Sequence, residues 1–258
     1  MSAPTTDTQP NGVRLVVGAS GGIGLALVEA QLADESVRRV VATHRPGSDL
    51  AGLAELAGRH GKRLERVELE LTDQASLAAF GNFLHSLEGG VDVAIHAAGL
   101  LHEAGLRPEK ALADCRPDHL RRLFEVNSIG PLMVASALLT AQGRQRRFTF
   151  AALSAMVGSI GDNRLGGWYG YRASKAALNQ FMRTLAIECR MKYPRATILA
   201  IHPGTTDTGL SRPFQRNVKP GKLYDPATTA SRILGVIAAA EGASSGRFLN
   251  WDGKEIPW

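Results

Sequence analysis

The sequence predicts the α/β fold class, as a single doubly wound parallel sheet with helices on both faces. Short β-branched runs alternate along the chain with segments in which apolar residues recur at helical spacing. Such an order produces right-handed βαβ units. The run Val91–Ala97 has the largely apolar character of a strand that is covered on both faces. With 258 residues and 44% hydrophobic content, the chain can fill one core, and we interpret 12–258 as one domain.

Each element has its own local signal. Ile23, Leu27 and Ala30 mark the first helix, Gly61 is a candidate C-cap, and Asp225 is a candidate N-cap. Thr72 or Asp73 caps the third helix, which runs to about Leu87. The predicted strands are Val13–Val17, Arg39–Thr43, Leu64–Leu71, Val91–Ala97, Arg147–Leu153, Ala196–His202 and Phe248–Trp251. The other predicted helices are Gly22–Ala33, Leu50–His60, Pro117–Gln142, Tyr169–Lys192 and a segment from Asp225 to about Ala240.

The ends and the composition exclude several classes of protein. Met1–Asn11 lacks the basic and apolar segments of a signal peptide, and we expect a disordered tail there. No uninterrupted apolar run reaches the ~18 residues of a membrane span, so no membrane partner is expected. Cys115 and Cys189 are too few for a disulfide scaffold and fit two thiols in a reducing cytoplasm.

The charged and nucleophilic residues exclude further classes. The net charge of +6 comes from small arginine clusters that are not interleaved with aromatic residues, so we expect solvated surface and no nucleic-acid partner. The seven histidines show no metal-ligand spacing, and we expect no metal. The chain has no Gly-x-Ser-x-Gly segment, which disfavours a serine hydrolase.

The glycine-rich turn Gly18–Gly24 follows a strand and opens a helix, the setting that a dinucleotide site requires. Its glycines allow a sharp turn and close approach to a pyrophosphate, and the helix N-terminus supplies free N–H groups. The sequence therefore predicts a Rossmann-type dinucleotide site at Gly18, Ser20, Gly22, Ile23 and Gly24.

The end of the second strand bears on which dinucleotide binds. NAD-selective sites place an acid there for the ribose 2′-hydroxyl. This chain has Thr43-His44-Arg45 instead, and an arginine can hold a 2′-phosphate by charge-assisted bonds. We expect NADP rather than NAD, with Arg45 as the selective residue.

Tyr171 and Lys175 form a candidate catalytic pair. Residues four apart share a helix face, so both side chains can point into one cleft. A free tyrosine has a pKa near 10, and an adjacent ammonium together with a cationic nicotinamide would lower it. Tyr169 has no such partner, because Ala173 stands four residues on.

Asn127 lies four residues before Pro131 in the predicted helix Pro117–Gln142. Proline has no N–H, so it cannot bond the carbonyl of Asn127, and Gly130 weakens the same turn. We expect a bend there and a free acceptor for a water that links Lys175 to solvent.

Together these segments resemble the short-chain dehydrogenase/reductase family over almost the whole chain. His96-Ala97-Ala98-Gly99 and His202-Pro203-Gly204 complete the family order. The segments Gly158–Asn163 and Gly166–Arg172 and the ending Asn250–Trp258 are similar to its C-factor and sniffer-type carbonyl reductase branch.

The resemblance implies a tetrad of Asn127, a serine, Tyr171 and Lys175. Tyr171 would protonate the substrate oxygen, the serine would hold it, and Lys175 would bind the nicotinamide ribose. The family register Ser-x-x-Gly places Ala155 at the serine position. Ser154 stands one residue earlier and is our first choice, with Ser159 second. A one-residue shift on a strand turns a side chain to the other face.

The resemblance also implies further cofactor contacts and a lid. Glu70 and Leu71 would border the adenine, and residues 209–222 would form the substrate lid. The remaining cofactor-binding positions implied are Ala98, Gly99, Pro203, Gly204, Thr206 and Thr208. Two departures from the family are His96-Ala97 in place of two asparagines and Gly21 in place of a basic residue.

The sequence therefore predicts an NADP-dependent oxidoreductase that reduces an aldehyde or ketone, working as a homodimer or homotetramer. The alternative is a dinucleotide-binding signalling or regulatory protein with little catalysis. It is motivated by the resemblance to C-factor and by the open serine position.

Overall fold

The computed structural model describes residues 12–240 and 242–258. The tail predicted at residues 1–11 lies outside these described residues. The strands are β1 Val13–Val17, β2 Arg39–His44, β3 Leu64–Glu68, β4 Val91–His96, β5 Phe148–Leu153, β6 Ala196–His202, β7 Thr205–Thr206, β8 Leu223–Tyr224 and β9 Arg247–Asn250. The helices are α1 Gly22–Ala33, α2 Ala51–His60, α3 Gln74–Ser86, α4 Pro117–Phe124, α5 Gly130–Ala141, α6 Tyr169–Lys192 and α7 Pro226–Ala239.

The central sheet has seven strands in the order β3-β2-β1-β4-β5-β6-β9. Every neighbouring pair in it is parallel. The chain builds outward from β1 to β3 and then returns to β4 on the other side of β1. This order confirms the doubly wound sheet and places a topological switch point between β1 and β4. Ligands of such sheets bind in the crevice outside the carboxyl ends of the strands at that point.

Two apolar layers cover the sheet. Along β5, Phe148 and Phe150 belong to the layer under α3, α5 and α6, whereas Ala151 and Leu153 belong to the layer under α1, α2 and α7. Because successive side chains of a strand point to opposite faces, a strand with apolar residues on both faces fits a sheet covered on both sides.

The predicted caps are largely confirmed. The Asp73 carboxylate accepts a hydrogen bond from the Ala75 N–H at 3.0 Å, and Asp225 accepts one from the Thr228 N–H at 2.8 Å. Gly61 ends α2 with a positive φ of 56°. The third strand ends at Glu68 rather than at Leu71, so the residues assigned to adenine binding lie in the turn after it.

The predicted helix Pro117–Gln142 is interrupted where Pro131 removes a donor. Residues Glu125–Ile129 form a π-helical turn, in which the Gly130 N–H bonds the Glu125 carbonyl. π-bulges of this kind occur within α-helices, often at functional sites. The interruption predicted around Asn127 is therefore present as a change of helical type.

Among the described residues, the helical run Pro117–Ala141 is long and apolar enough to cross a membrane by length and composition. The criterion of an uninterrupted apolar run missed it, because polar residues such as Asn127 and Ser128 divide it. Half of its most apolar window is buried, and its second half packs against α3 and α6. Core helices of globular proteins share these properties.

Close packing between α6 and the segment after β5 depends on Gly158. A Cβ added there would lie 2.8 Å from the Cβ of Lys175 and 3.0 Å from its backbone carbon. Real Cβ atoms do not approach this closely, so Gly158 lets the chain after β5 lie directly on α6. This close contact thereby sets the position of Lys175 relative to the sheet.

We predict opposite effects of alanine at two glycines. Gly158→Ala overpacks the contact with α6 and should lower the free energy of unfolding by about 1–3 kcal/mol. Gly235→Ala is the matched control, because Gly235 lies in α7 with no atom within 4 Å of an added Cβ. It should raise stability by about 0.5–1 kcal/mol through helix propensity. Urea denaturation of both variants checks this, and equal effects of the two would contradict it.

Candidate active site

A cleft of about 530 Å³ lies at the switch point, between the carboxyl ends of β1 and β4. The glycine-rich turn forms one wall, and the segment after β4 forms the other. Sequence reasoning had assigned many of its lining residues to cofactor binding: Gly18, Ser20, Gly22, Ile23, Gly24, Arg45, Glu70, Leu71, Ala98, Gly99 and Thr208.

The turn after β1 requires its glycines. Gly18 has a φ of 82°, and a Cβ there would lie 2.7 Å from the backbone of Ala98. A Cβ on Gly24 would overlap the carbonyl oxygen of Gly18. Helix α1 then begins at Gly22 with no side-chain cap and no acidic residue in its first turn. Its positive dipole end is therefore available to an anion at the cleft.

The cleft is basic beside β2. Arg45 is exposed, borders the cleft and forms no ion pair with the described residues. The His44 ring lies 3.3 Å through Nδ1 from the Arg45 carbonyl oxygen. Glu70 is also at the cleft, but its carboxylate accepts hydrogen bonds from the Thr72 N–H and hydroxyl at 3.1 and 2.8 Å. The charged side chain at the end of β2 itself is therefore that of Arg45, which is cationic.

Gly99 links this cleft to the predicted catalytic residues. A Cβ added to Gly99 would lie 3.6 Å from both the Asn127 Oδ1 and the Lys175 Nζ. The buried Asn127 amide accepts from the Leu100 N–H and donates to the Leu100 carbonyl, both at 2.7 Å. It also donates to the Ser174 hydroxyl at 3.1 Å. Asn127 thus clamps the segment after β4 onto α6.

Tyr171 and Lys175 lie together on the buried face of α6. Their residues are 7% and 3% exposed, and the Lys175 Nζ lies 5.9 Å from the centre of the Tyr171 ring. The same Nζ donates to the Leu153 carbonyl at 2.9 Å. Tyr169, which has no lysine partner, is exposed.

Burial shifts the pKa of both groups toward their neutral forms. It lowers the pKa of the Lys175 ammonium to about 8 and raises the pKa of the Tyr171 phenol above its ordinary value. The expected lowering of the Tyr171 pKa is therefore not produced by Lys175 alone. The free-energy cost of desolvating the phenolate exceeds the stabilisation that an ammonium provides at this distance.

Neither candidate serine directs its hydroxyl proton toward Tyr171. Ser154 donates to the Asn179 Oδ1 at 2.6 Å, and Ser159 donates to the Pro257 carbonyl at 2.6 Å. The residue that packs against the apolar cluster containing Tyr171 is Ala155. The assignment of Ser154 as the oxygen-holding residue remains a prediction, and its hydrogen bond disfavours it.

The residues after β6 divide into two groups. Thr208 borders the cleft, and its Cγ2 would lie 3.0 Å from a Cβ on Gly22. Thr206 is buried with its hydroxyl 2.9 Å from that of Thr229 on α7. Gly204 packs under the Tyr224 and Trp251 rings and, like Pro203 and Thr206, is absent from the described cleft lining.

Sequence reasoning missed two aromatic residues beside Tyr171. The Trp168 and Tyr171 ring centres are 6.1 Å apart, and Phe214 packs 5.0 Å from Trp168. Phe214 belongs to the 3₁₀ turn Arg212–Asn217 inside the predicted lid. Trp168 has a φ of 53°, which is rare for a bulky residue and which no sequence pattern signals.

His96 is a second residue that sequence reasoning underrated. Its side chain is buried, and its Nε2 has no hydrogen-bond partner among the described residues. Burial, and then the charge of Lys175, lower the pKa of His96 to about 3. The imidazole is therefore neutral near the Lys175 ammonium. The sequence signal for His96 was its position, since a histidine stands there where the family usually has an asparagine.

We predict that Lys175 titrates near pH 8 in the protein without bound ligand. Carbon-13 NMR of labelled lysine side chains follows each ammonium through its titration. The Lys175→Met variant should lack the one signal whose midpoint lies well below that of an ordinary lysine. A spectrum in which this variant removes only a signal with an ordinary midpoint would contradict the burial of the ammonium.

Comparison with known proteins agrees with this geometry. The C-signal protein of Myxococcus xanthus is 36% identical over 172 residues, which cover 66% of this chain and 94% of that protein. The NADPH-bound carbonyl reductase from chicken fatty liver is 28% identical, with a TM-score of 0.81 over 95% of this chain and 94% of that one.

The carbonyl reductase Sniffer of D. melanogaster has the same fold, with a TM-score of 0.80 at 24% identity over 96% of this chain and 99% of that one. The family model described as short chain dehydrogenase matches residues 13–219. These matches confirm the resemblance found in the sequence, and the chain belongs to the short-chain dehydrogenase family.

Proposed function

We propose that the chain is an NADP-dependent oxidoreductase that reduces an aldehyde or ketone, with Tyr171 as the proton donor. The observation that carries the proposal is the buried Tyr171–Lys175 pair, whose Lys175 Nζ lies beside Gly99 in the wall of the cleft. Family membership supports oxidoreduction with a nicotinamide cofactor.

The residues of the cleft fit a dinucleotide. At Gly18 and Gly24 the turn after β1 leaves no room for a side chain, and the uncapped N-terminus of α1 suits a pyrophosphate. Arg45 would hold a 2′-phosphate and so favour NADP over NAD. The chicken relative was crystallised with NADPH. Ser20, Ile23, Ala98 and Thr208 would complete the contacts along the cleft.

The bound cofactor would supply the hydride, and the chain would supply orientation and the proton. Tyr171 would donate its phenolic proton to the substrate oxygen. Its raised pKa keeps it protonated at neutral pH, the form that a donor needs. Lys175 would hold the nicotinamide ribose. Asn127, within the π-helical turn, would hold the water that returns a proton to the site.

We predict that Tyr171→Phe lowers kcat for carbonyl reduction by about 10²–10⁴-fold, the range typical of a lost general acid. NADPH affinity should change little, because the ring and its packing remain. Tyr169→Phe is the matched control, since Tyr169 is exposed two residues earlier on the same helix. Initial rates and fluorescence titration measure both properties. Wild-type turnover in Tyr171→Phe would show that Tyr171 is not the proton donor.

We predict that Arg45→Ala weakens NADPH binding by roughly 10- to 100-fold, the effect of losing hydrogen bonds to a charged group. NADH lacks the 2′-phosphate, so its affinity should stay nearly unchanged. Fluorescence titration with both cofactors gives the ratio. Equal losses for NADPH and NADH would mean that Arg45 acts on the fold of the cleft rather than on the phosphate.

A second candidate function is a dinucleotide-binding signalling or regulatory protein with little catalysis. Two observations favour it: the chain is 36% identical to the C-signal protein over 172 residues, and the Ser154 hydroxyl already donates a hydrogen bond to Asn179. NADPH fluorescence on mixing, followed by NADPH consumption with a broad carbonyl panel, separates the two functions. Binding without consumption of any carbonyl supports the second.

We also propose a homodimer or homotetramer in the cytoplasm. Exposed apolar side chains near Asn127 and on α6 support self-association, namely Ile129, Met133, Ile187 and Met191. Cys115 and Cys189 are both free thiols, which fits a reducing compartment.

A further inference from the structure

The chain direction at the end of β5 separates Ser154 from the Tyr171 site. Ala155 has extended backbone angles, φ −149° and ψ 147°. In extended backbone, successive side chains point to opposite sides. Ser154 points toward Asn179 on α6, and Ala155 packs against the apolar cluster that contains Tyr171. The residue of this segment on the Tyr171 side therefore carries a methyl group and no side-chain hydrogen-bond donor.

The nearby hydroxyl protons are already used. A serine hydroxyl has one proton to donate. That of Ser154 goes to Asn179, that of Ser159 to the Pro257 carbonyl, and that of Ser174 to the Tyr171 carbonyl at 2.9 Å. None of these three hydroxyls has a proton left for a substrate oxygen in this arrangement.

The apolar residues around Tyr171 form one cluster, in which one side chain is an indole. The described residues that form this cluster or pack against it are Leu100, Leu101, Leu106, Leu123, Val126, Ala155, Val157, Trp168 and Phe214. Of these side chains, only that of Trp168 carries an N–H. Two polar groups adjoin the cluster and are engaged elsewhere: the Lys175 ammonium, 5.9 Å from the Tyr171 ring centre, donates to the Leu153 carbonyl, and the His102 Nε2 lies 3.2 Å from the Gly209 carbonyl oxygen.

We propose that Tyr171 is the single side-chain donor to the substrate oxygen, and that the substrates are therefore carbonyl compounds activated by an electron-withdrawing neighbour. Electron-poor aryl ketones and 1,2-diketones belong to this class. The inference rests on the proposed reductase function. In other enzymes the loss of one donor to a developing oxyanion costs 10²–10³-fold in kcat. A substrate whose carbonyl is intrinsically electrophilic offsets that loss.

The reaction balances with one protein donor. The carbonyl carbon accepts a hydride, with its two electrons, from a reduced nicotinamide dinucleotide. The C=O π pair moves onto oxygen and takes the proton from Tyr171, whose O–H bond breaks. The product is the alcohol, and Tyr171 regains a proton from solvent.

The test is the dependence of kcat/KM on substrate electronics, measured as NADPH consumption with 4-substituted acetophenones from 4-nitro to 4-methoxy. The wild type is expected to show a steep fall across the series. Ala155→Ser adds a donor and should raise kcat/KM for 4-methoxyacetophenone by at least about tenfold, within the 10²–10³-fold limit. The fall in kcat/KM from the 4-nitro to the 4-methoxy substrate should become less steep in this variant.

Ala173→Ser, an added serine on the exposed side of α6, is the matched control. It should show the same fall in kcat/KM across the series as the wild type.

Two further variants decide the question if Ala155→Ser does not fold. Ser154→Ala and Trp168→Phe are expected to keep the wild-type slope. A 10²–10³-fold fall in kcat in either variant, with native NADPH affinity, identifies a second donor and overturns the inference. A flat wild-type slope overturns it as well.

The outcomes separate this inference from the proposed function. A wild-type protein that reduces all members at similar rates is still a reductase, but it does not depend on activated carbonyls. A wild-type protein that binds NADPH and consumes none with any carbonyl overturns the proposed reductase function itself.

Discussion

The burial of one ammonium group constrains the whole site. Lys175 is nearly inaccessible to water, and its Nζ is held by the Leu153 carbonyl at the end of β5. Gly158 allows the chain beyond β5 to lie on α6, and Asn127 clamps the segment after β4 to the same helix. Three separate parts of the chain thus converge on this side chain. Its desolvation is a cost that the rest of the fold offsets.

The same burial decides which proton chemistry the site favours. A phenol in apolar surroundings resists ionisation, and a buried ammonium releases its proton more easily. The isolated chain therefore holds Tyr171 protonated and Lys175 close to its titration point at neutral pH. These states suit the reductive direction, in which the tyrosine begins with its proton. The neutral His96 beside Lys175 adds no competing charge.

The apolar surroundings also bear on specificity. Trp168 and Phe214 pack against each other beside Tyr171, one from the residue before α6 and one from the 3₁₀ turn after β7. Neither has a charge with which to select an acidic or phosphorylated substrate. If the substrate binds against this cluster, as we propose, its selection follows from shape and from carbonyl reactivity.

The sequence by itself determined the alternation of strands and helices, the glycine-rich turn, the free arginine at the end of β2 and the Tyr171–Lys175 spacing. These are local properties, because periodicity, glycine positions and i, i+4 spacing act over a few residues. It also anticipated the irregular turn at Asn127, since a proline removes a specific donor. The family comparison confirmed the resemblance that these motifs carried.

The tertiary structure decided what depends on distant parts of the chain. Which of Ser154 and Ala155 faces Tyr171 follows from the docking of α6, 25 residues away at Asn179. That the Thr206 hydroxyl lies against the hydroxyl of Thr229 on α7 is also a contact between distant residues. The direction of the Tyr171 pKa shift and the left-handed backbone of Trp168 likewise arise from packing. Side-chain orientation and desolvation are sums over neighbours that are remote in sequence, and local patterns do not encode them.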